Sequence, residues 1–314
     1  MANKTEKPTK KTTKKQATEP ALIGPNTVIT LTVPAKEAQA AYDKSLRKLS
    51  KNIKSSGFRA GKVPLSLAEK EIGSEAIIEQ ALEFVIPELY EKALEGKKIE
   101  SITRPELKAV ALEKGKDWTV EIHLAEKPTI DLKGFKKAVA AGKKAGQAEL
   151  KKQKAELKKH LESTKDHEGH NHQQPSEEDI LLTNIYQQLV TTIKPTLPEL
   201  LVKEEVRADL QNLVKRLESL NLTLDDYLKQ QGIKYDDMTN QLAVSAVGRL
   251  QLMFILEAIA TDQKIEVSEE EVMAEIEKTT DAELKKQQLA DTRYKSFLRQ
   301  TLKRDKLAQY LLNQ

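Results

Sequence analysis

From Val28 to Val33 apolar and polar residues alternate, with Ile29, Leu31 and Val33 on one face and Thr30 and Thr32 on the other, the period of a half-buried strand. Pro34 then opens a helix in which Ala38, Ala41, Tyr42, Ser45, Leu46, Leu49 and Ile53 recur every three or four positions, with Lys and Arg opposite. A second helix is predicted to start at Pro64 and end at Gly73. Ser74 is the expected N-cap of a third, whose buried face is Ile78, Leu82, Val85, Ile86, Leu89, Ala93 and Leu94. Pro87 lacks an N–H, so it is expected to kink or restart that helix. Two β-runs follow, Glu106 to Leu112 and Trp118 to Leu124, joined by Lys114-Gly115-Lys116-Asp117 as a hairpin turn. Trp118, Val120, Ile122 and Leu124 share one strand face, and the single tryptophan is expected in the core. Residues 26–135 therefore read as an α+β domain, an antiparallel sheet with helices.

Residues 136–175 change character. Ala, Gly and Lys dominate as far as Ala148, and Leu150, Leu157 and Leu161 then leave only a thin apolar seam, so a basic helical or flexible linker is expected. From Ser176 to the end, residues 176–314, the period is helical, predicting an all-α, multi-helical domain. Ile180, Ile185, Leu189 and Ile193 precede Pro195, and Val206, Leu210, Leu213, Leu217 and Leu220 follow the spacing of a packed helix. Thr223 with Asp226 caps a short helix closed by Gly232. Leu242, Ala246, Leu250, Met253, Leu256 and Ala260 mark a long helix, Ser268 with Glu271 forms a capping box, and Tyr294, Leu298, Leu302 and Leu311 mark the last helix.

Composition narrows the chemistry. There is no Cys, which excludes disulfides, thiolate metal sites and thiol nucleophiles and fits a reducing, cytoplasmic compartment. The net charge of +4 is unevenly spread. Residues 1–20 hold six Lys against two Glu, and residues 136–165 hold ten Lys against three Glu, so the remainder is net acidic and any contact with RNA is local. Residues 1–25 read as a disordered basic tail with no apolar run of signal-peptide type, and no uninterrupted apolar window is long enough to predict a membrane span. Gly57-x-x-x-Gly61-Lys62 is not a phosphate loop, because its glycine spacing is short and Val63 stands where Ser or Thr would hold Mg²⁺. His167, His170 and His172 lie within six residues and could take Ni²⁺, Cu²⁺ or Zn²⁺, but no second ligand cluster frames them, so a polar linker is the expectation.

The most informative stretch is Gly57-Phe58-Arg59-Ala60-Gly61-Lys62-Val63-Pro64, between two helices. Two glycines four residues apart allow a tight turn or positive φ, and Pro64 fixes φ where the next helix begins. An aromatic ring beside a guanidinium, with an ammonium three residues on, has the composition of a docking tip for an acidic or phosphate-bearing partner. The alternative is that Phe58 folds back onto its own domain and the cations are merely solvated.

This loop, with a long helix before it and a helix starting at the proline, resembles the ribosome-docking signature of the trigger factor family, the bacterial nascent-chain chaperones. The resemblance covers residues 26–135 and 176–314, where Leu222-Thr-Leu-Asp-Asp-Tyr-Leu-Lys and Ile265-Glu-Val-Ser-Glu-Glu-Glu-Val are also similar. It implies an N-terminal ribosome-docking domain and a helical chaperone domain with a concave, client-holding surface. Gly57, Phe58, Arg59, Gly61, Lys62 and Pro64 would meet the large ribosomal subunit, at protein uL23 and adjacent rRNA. Ala60 departs from the basic residue common at that position in the family. The implied partners are the ribosome and unfolded nascent polypeptides, with no membrane, no cofactor and a homodimer possible in the free state. Trigger factors generally carry an FK506-binding-type prolyl isomerase domain of about a hundred residues. Here residues 136–175 replace it and contain no Phe, Tyr or Trp, so a non-enzymatic chaperone is expected. A prolyl isomerase of the same family and a ribosome-independent helical adaptor are the alternatives.

Overall fold

The computed structural model describes residues 22–54, 58–59, 61–95, 99–163 and 176–314. Its first part contains β1 (Ile23–Gly24), β2 (Thr27–Val33), α1 (Ala35–Ser50), α2 (Leu65–Ile72), α3 (Ser74–Leu94), β3 (Glu106–Ala111) and β4 (Trp118–Leu124). β2 and β3 both pair antiparallel with β4, in the order β2-β4-β3, with Val33 opposite Trp118 and Thr27 opposite Leu124. The alternation in β2 emerges as expected: Ile29, Leu31 and Val33 are buried, while Val28, Thr30 and Thr32 are exposed. Ile29, Leu31, Val120, Ile122 and Leu124 pack with Ile86 of α3. Val33 and Trp118 continue into a second cluster with Ala38, Tyr42 and Leu46 of α1, Ala68 of α2 and Ile77, Ile78 and Ala81 of α3. Trp118 is fully buried, and its indole Nε1 donates to the Glu113 carbonyl at 3.1 Å, so the ring is both packed and satisfied.

Two local expectations are refined. α3 continues through Pro87 as one helix and does not restart there. Pro87 and Glu83, whose carbonyl loses its donor, are both exposed, so water can take the missing hydrogen bond. Ser74 is the first helical residue and not the cap: Gly73, at φ +83°, both ends α2 and begins α3, a backbone state that suits glycine.

The second part comprises α4 (Phe135–Ser163), α5 (Glu177–Ile193), β5 (Leu197–Pro198), α6 (Glu199–Ser219), α7 (Leu224–Gln231), α8 (Tyr235–Asp262), α9 (Glu269–Glu277), α10 (Ala282–Ala290) and α11 (Thr292–Asn313). The capping boxes of Ser176 with Asp179 and Ser268 with Glu271 open α5 and α9. Thr223 accepts from the Asp226 N–H, and Gly232, at φ +66°, closes α7. This part is not purely helical. Prolines at 195 and 198 keep the segment extended, and β5 pairs in parallel with β1, the Leu197 N–H donating to the Leu22 carbonyl at 2.9 Å. Asn26 Oδ1 accepts from the Leu200 N–H at 2.7 Å, and Lys127 pairs with Glu257 at 2.7 Å, so the first part is also tied to α6 and α8.

The beginning of residues 136–175 is helical, as expected, and lies packed on the body instead of forming a flexible linker. Phe135, Ala138 and Val139 of α4 are buried among Ile185 and Leu189 of α5, Ile255 and Ile259 of α8, and Leu307 and Leu311 of α11. Gly142 and Gly146 face α5 so closely that a Cβ on Gly142 would lie 2.5 Å from the Ile185 Cα. The helix packs through small residues, which a count of large apolar side chains does not register. α8 is long and apolar enough to cross a membrane, with a mean hydropathy of 1.7 over its most apolar window. Much of that character is used internally: Leu250, Phe254, Ile255 and Ile259 are buried, and the buried Gln251 donates to the Pro195 carbonyl at 2.8 Å.

Candidate functional site

The loop that joins α1 to α2 is anchored at both ends in the same core. Leu49 and Ile53 pack against the α1–α2–α3 cluster on the near side, and Val63 is buried in it on the far side. Between these anchors the Lys62 N–H donates to the Arg59 carbonyl at 2.9 Å, closing a four-residue turn. Gly61 stands third in that turn at φ +78°, where an L side chain would be strained, and its Cα side lies against the Lys51 carbonyl at the end of α1. Pro64 is the N-cap of α2, its φ of −55° fixed by the ring, and its carbonyl accepts from the N–H groups of Leu67 and Ala68.

The helices flanking the loop are clamped by a polar contact. Tyr42 of α1 donates its hydroxyl proton to Glu69 Oε1 of α2 at 2.8 Å, and Lys114 of the hairpin turn pairs with the same carboxylate while lying 4.9 Å from the Tyr42 ring centroid. Burial first, then the bond to Glu69, pushes the Tyr42 phenol up to about 12. The hydrogen bonds from Lys114 and Tyr42 hold the Glu69 carboxyl below its ordinary value.

On this frame Phe58 is 44% exposed, and Arg59, Gly61, Lys62 and Pro64 are exposed. Arg59 and Lys62 thus bound a short exposed turn, and Phe58 precedes it directly. Gly57 and Ala60 lie outside the described residues, as do His167, His170 and His172.

A second set of residues was missed by periodicity. Met253 and Leu220, which share the helical spacing of the core positions, are 49% and 63% exposed, and Val244 and Phe297 are also open to solvent. Val206, Leu210 and Leu213 of α6 are only half-buried, because α6 lies on α8 along one side and no described element covers the other stripe completely. Met253 borders an open groove of about 550 Å³ with Tyr186, Leu256, Ala260 and Leu307, edged by Lys303 and Arg304. No sequence signal separates these positions from core ones, since both obey the same helical spacing.

The comparisons with known proteins agree on one family. The family described as "Bacterial trigger factor protein (TF)" matches residues 15–163, and its C-terminus matches residues 149–313. The chain belongs to the trigger factor family. The two matches overlap within α4, leaving no stretch between them for an isomerase domain. Among curated trigger factors, that of Staphylococcus epidermidis is 37% identical over 109 residues, covering 35% of this chain and 25% of the relative. That of Macrococcus caseolyticus is 37% identical over 109 residues, covering 35% and 26%. That of Streptococcus pyogenes is 34% identical over 112 residues, covering 36% and 26%. The matched stretch therefore spans about a quarter of these relatives' length. A solved structure described as "Promiscuous Substrate Recognition in Folding and Assembly Activities of the Trigger Factor Chaperone" superposes with a TM-score of 0.53 at 14% identity, covering 91% of this chain and 96% of that one, a likeness of fold.

Proposed function

We propose that this chain is an ATP-independent chaperone of the cytoplasm that docks at the ribosomal exit tunnel and holds nascent polypeptides. The observation that carries the reading is the pinned turn that leaves Phe58 exposed beside Arg59 and Lys62. An exposed ring contributes little to folding, whereas a rigid aromatic anchor flanked by cations is the composition of an interface hot spot. The receptor is the large subunit, at uL23 and adjacent rRNA. The exposed apolar side chains Val244, Met253 and Phe297 supply the holding surface. Being scattered, they bind unfolded segments weakly, which allows release without nucleotide. The free protein can form a homodimer. No catalytic step is assigned: the two family matches overlap within α4, with no stretch between them for an isomerase domain.

The test combines two assays on the full chain. It is expected to pellet with salt-washed ribosomes and, in free solution without nucleotide, to suppress aggregation of a chemically unfolded client. Failure to pellet would favour the ribosome-independent adaptor, and failure to suppress aggregation would remove the chaperone reading.

A further inference from the structure

α1 places Lys44, Arg47, Lys48 and Lys51 on one exposed face, at the i, i+3, i+4, i+7 spacing of a helical stripe. Phe84 of α3 lies beneath them, half-buried, with the Lys44 ammonium 4.3 Å and the Lys48 ammonium 4.9 Å from its ring centroid. With Ala40 and Asp43 these residues border an open depression of about 570 Å³. Asp43, the carboxylate at this site, accepts a hydrogen bond from Gln39 Nε2 at 2.8 Å. None of the four cations forms an ion pair among the described residues.

Two ammonium groups drawn to one ring are each attracted by its negative face and repelled by each other. Two further cations on the same helix face add to that repulsion, and an anion placed between them would relieve it. Gly61 lies by the end of this face, a Cβ there falling 3.5 Å from the Lys51 carbonyl oxygen, so the loop that carries Arg59 and Lys62 passes next to it. From Lys44 to Lys51 the helix rises about 10 Å, enough to meet successive phosphates of one strand. Apart from Phe84, Ala40 and the lysine stems there is no apolar material here for a protein partner to bury, whereas a row of flexible cations suits a polyphosphate backbone.

We propose that the Lys44–Lys51 face of α1 is a phosphate-backbone contact for RNA, with Phe84 as the platform that holds two of its lysines in place. It rests on the docking reading above and names the RNA-facing side of that contact.

The experiment measures equilibrium binding of the full chain to purified ribosomes over a range of salt. Lys44→Gln with Lys48→Gln is expected to weaken binding about tenfold near 0.1 M salt and to make the log–log salt slope shallower by about 1.5, as the loss of two phosphate contacts requires. Circular dichroism and melting should stay as in the wild type, since both side chains are exposed. Phe84→Leu keeps every charge and is expected to weaken binding about two- to threefold with an unchanged slope. Because the chain has no Cys, Lys48→Cys carrying a photo-crosslinker reports its neighbour directly, and the expected adduct is with rRNA. An adduct with ribosomal protein alone would overturn the assignment. So would unchanged affinity and slope in the double variant while Phe58→Ala weakens binding, a result that leaves tip docking intact. Weakened binding in the double variant with Phe58→Ala silent would support the helix face and refute docking by the tip.

Discussion

Gly142→Ala and Gly248→Ala make the same chemical change in two helix interiors, and the structure predicts opposite signs. At Gly142 the new methyl would lie 2.5 Å from the Ile185 Cα, 2.8 Å from its backbone nitrogen and 2.9 Å from the Asn184 carbonyl oxygen. All three are backbone atoms, so no side-chain rotamer can relieve the clash and α4 must move away from α5. Overpacking of this kind costs about 1–3 kcal/mol, and three sub-3 Å contacts place the cost near the upper end. The gain in helix propensity from Gly to Ala is about 1 kcal/mol, leaving a net loss of about 2 kcal/mol. At Gly248 no atom lies within 4 Å of the added Cβ, so only the propensity gain of about 0.5–1 kcal/mol remains. Urea unfolding followed by circular dichroism at 222 nm measures both. The expected result is a lower midpoint for Gly142→Ala and a higher one for Gly248→Ala. A neutral or stabilised Gly142→Ala would refute the tight α4–α5 contact and return residues 136–148 to the status of a linker.

The Tyr42–Glu69–Lys114 clamp gives a pH prediction. The Tyr42 pKa is raised in the folded state, so its stabilisation is present below the unfolded value near 10 and is lost as pH rises through about 12. Tyr42→Phe should therefore lose about 1 kcal/mol at pH 8, where one hydrogen bond is removed, and show a flatter decline between pH 10 and 12 than the wild type. A parallel decline in both proteins would show that another group sets the alkaline limit. Glu69 works in the opposite range: its lowered pKa stabilises above the unfolded value and is lost in acid, so Glu69→Gln should flatten the acid limb of the stability curve. For chemistry, the chain is expected to leave the slow prolyl phase of a refolding client unaccelerated, a phase of tens to hundreds of seconds in which weak catalysis would be visible. An acceleration proportional to chain concentration would contradict this.

The first domain was legible because its strands are half-buried. Alternation located β2 and β4 to within a residue, and the polar turn residues around Gly115 located the hairpin. Caps that act through side chains, Thr223 and Ser268, were readable for the same reason: the donor and acceptor are local. What escaped the sequence were non-local facts. Gly142 and Gly146 mark a close helix contact only when α5 is in view. β1 and β5 are two residues each and exist through a pairing across more than 170 positions. The exposure of Met253 and Leu220 depends on which helices cover α6 and α8. In the loop, the residue types were readable, but the exposure of Phe58 shows only once the half-buried Ile53 and the buried Val63 are seen to anchor the chain on either side of it.

The most direct test of the central claim is the equilibrium affinity of the full chain for ribosomes with and without the Phe58 ring. Removing a pocket-filling anchor is worth roughly 2 kcal/mol or more, so Phe58→Ala should raise the Kd by about 30-fold or more. Because the ring is 44% exposed, helical circular dichroism, melting point and client holding in free solution should be unchanged. Ala60→Lys, which adds a third cation to the loop at a position outside the described residues, should lower the Kd in the same assay. A Kd unmoved by both substitutions would contradict docking through this loop.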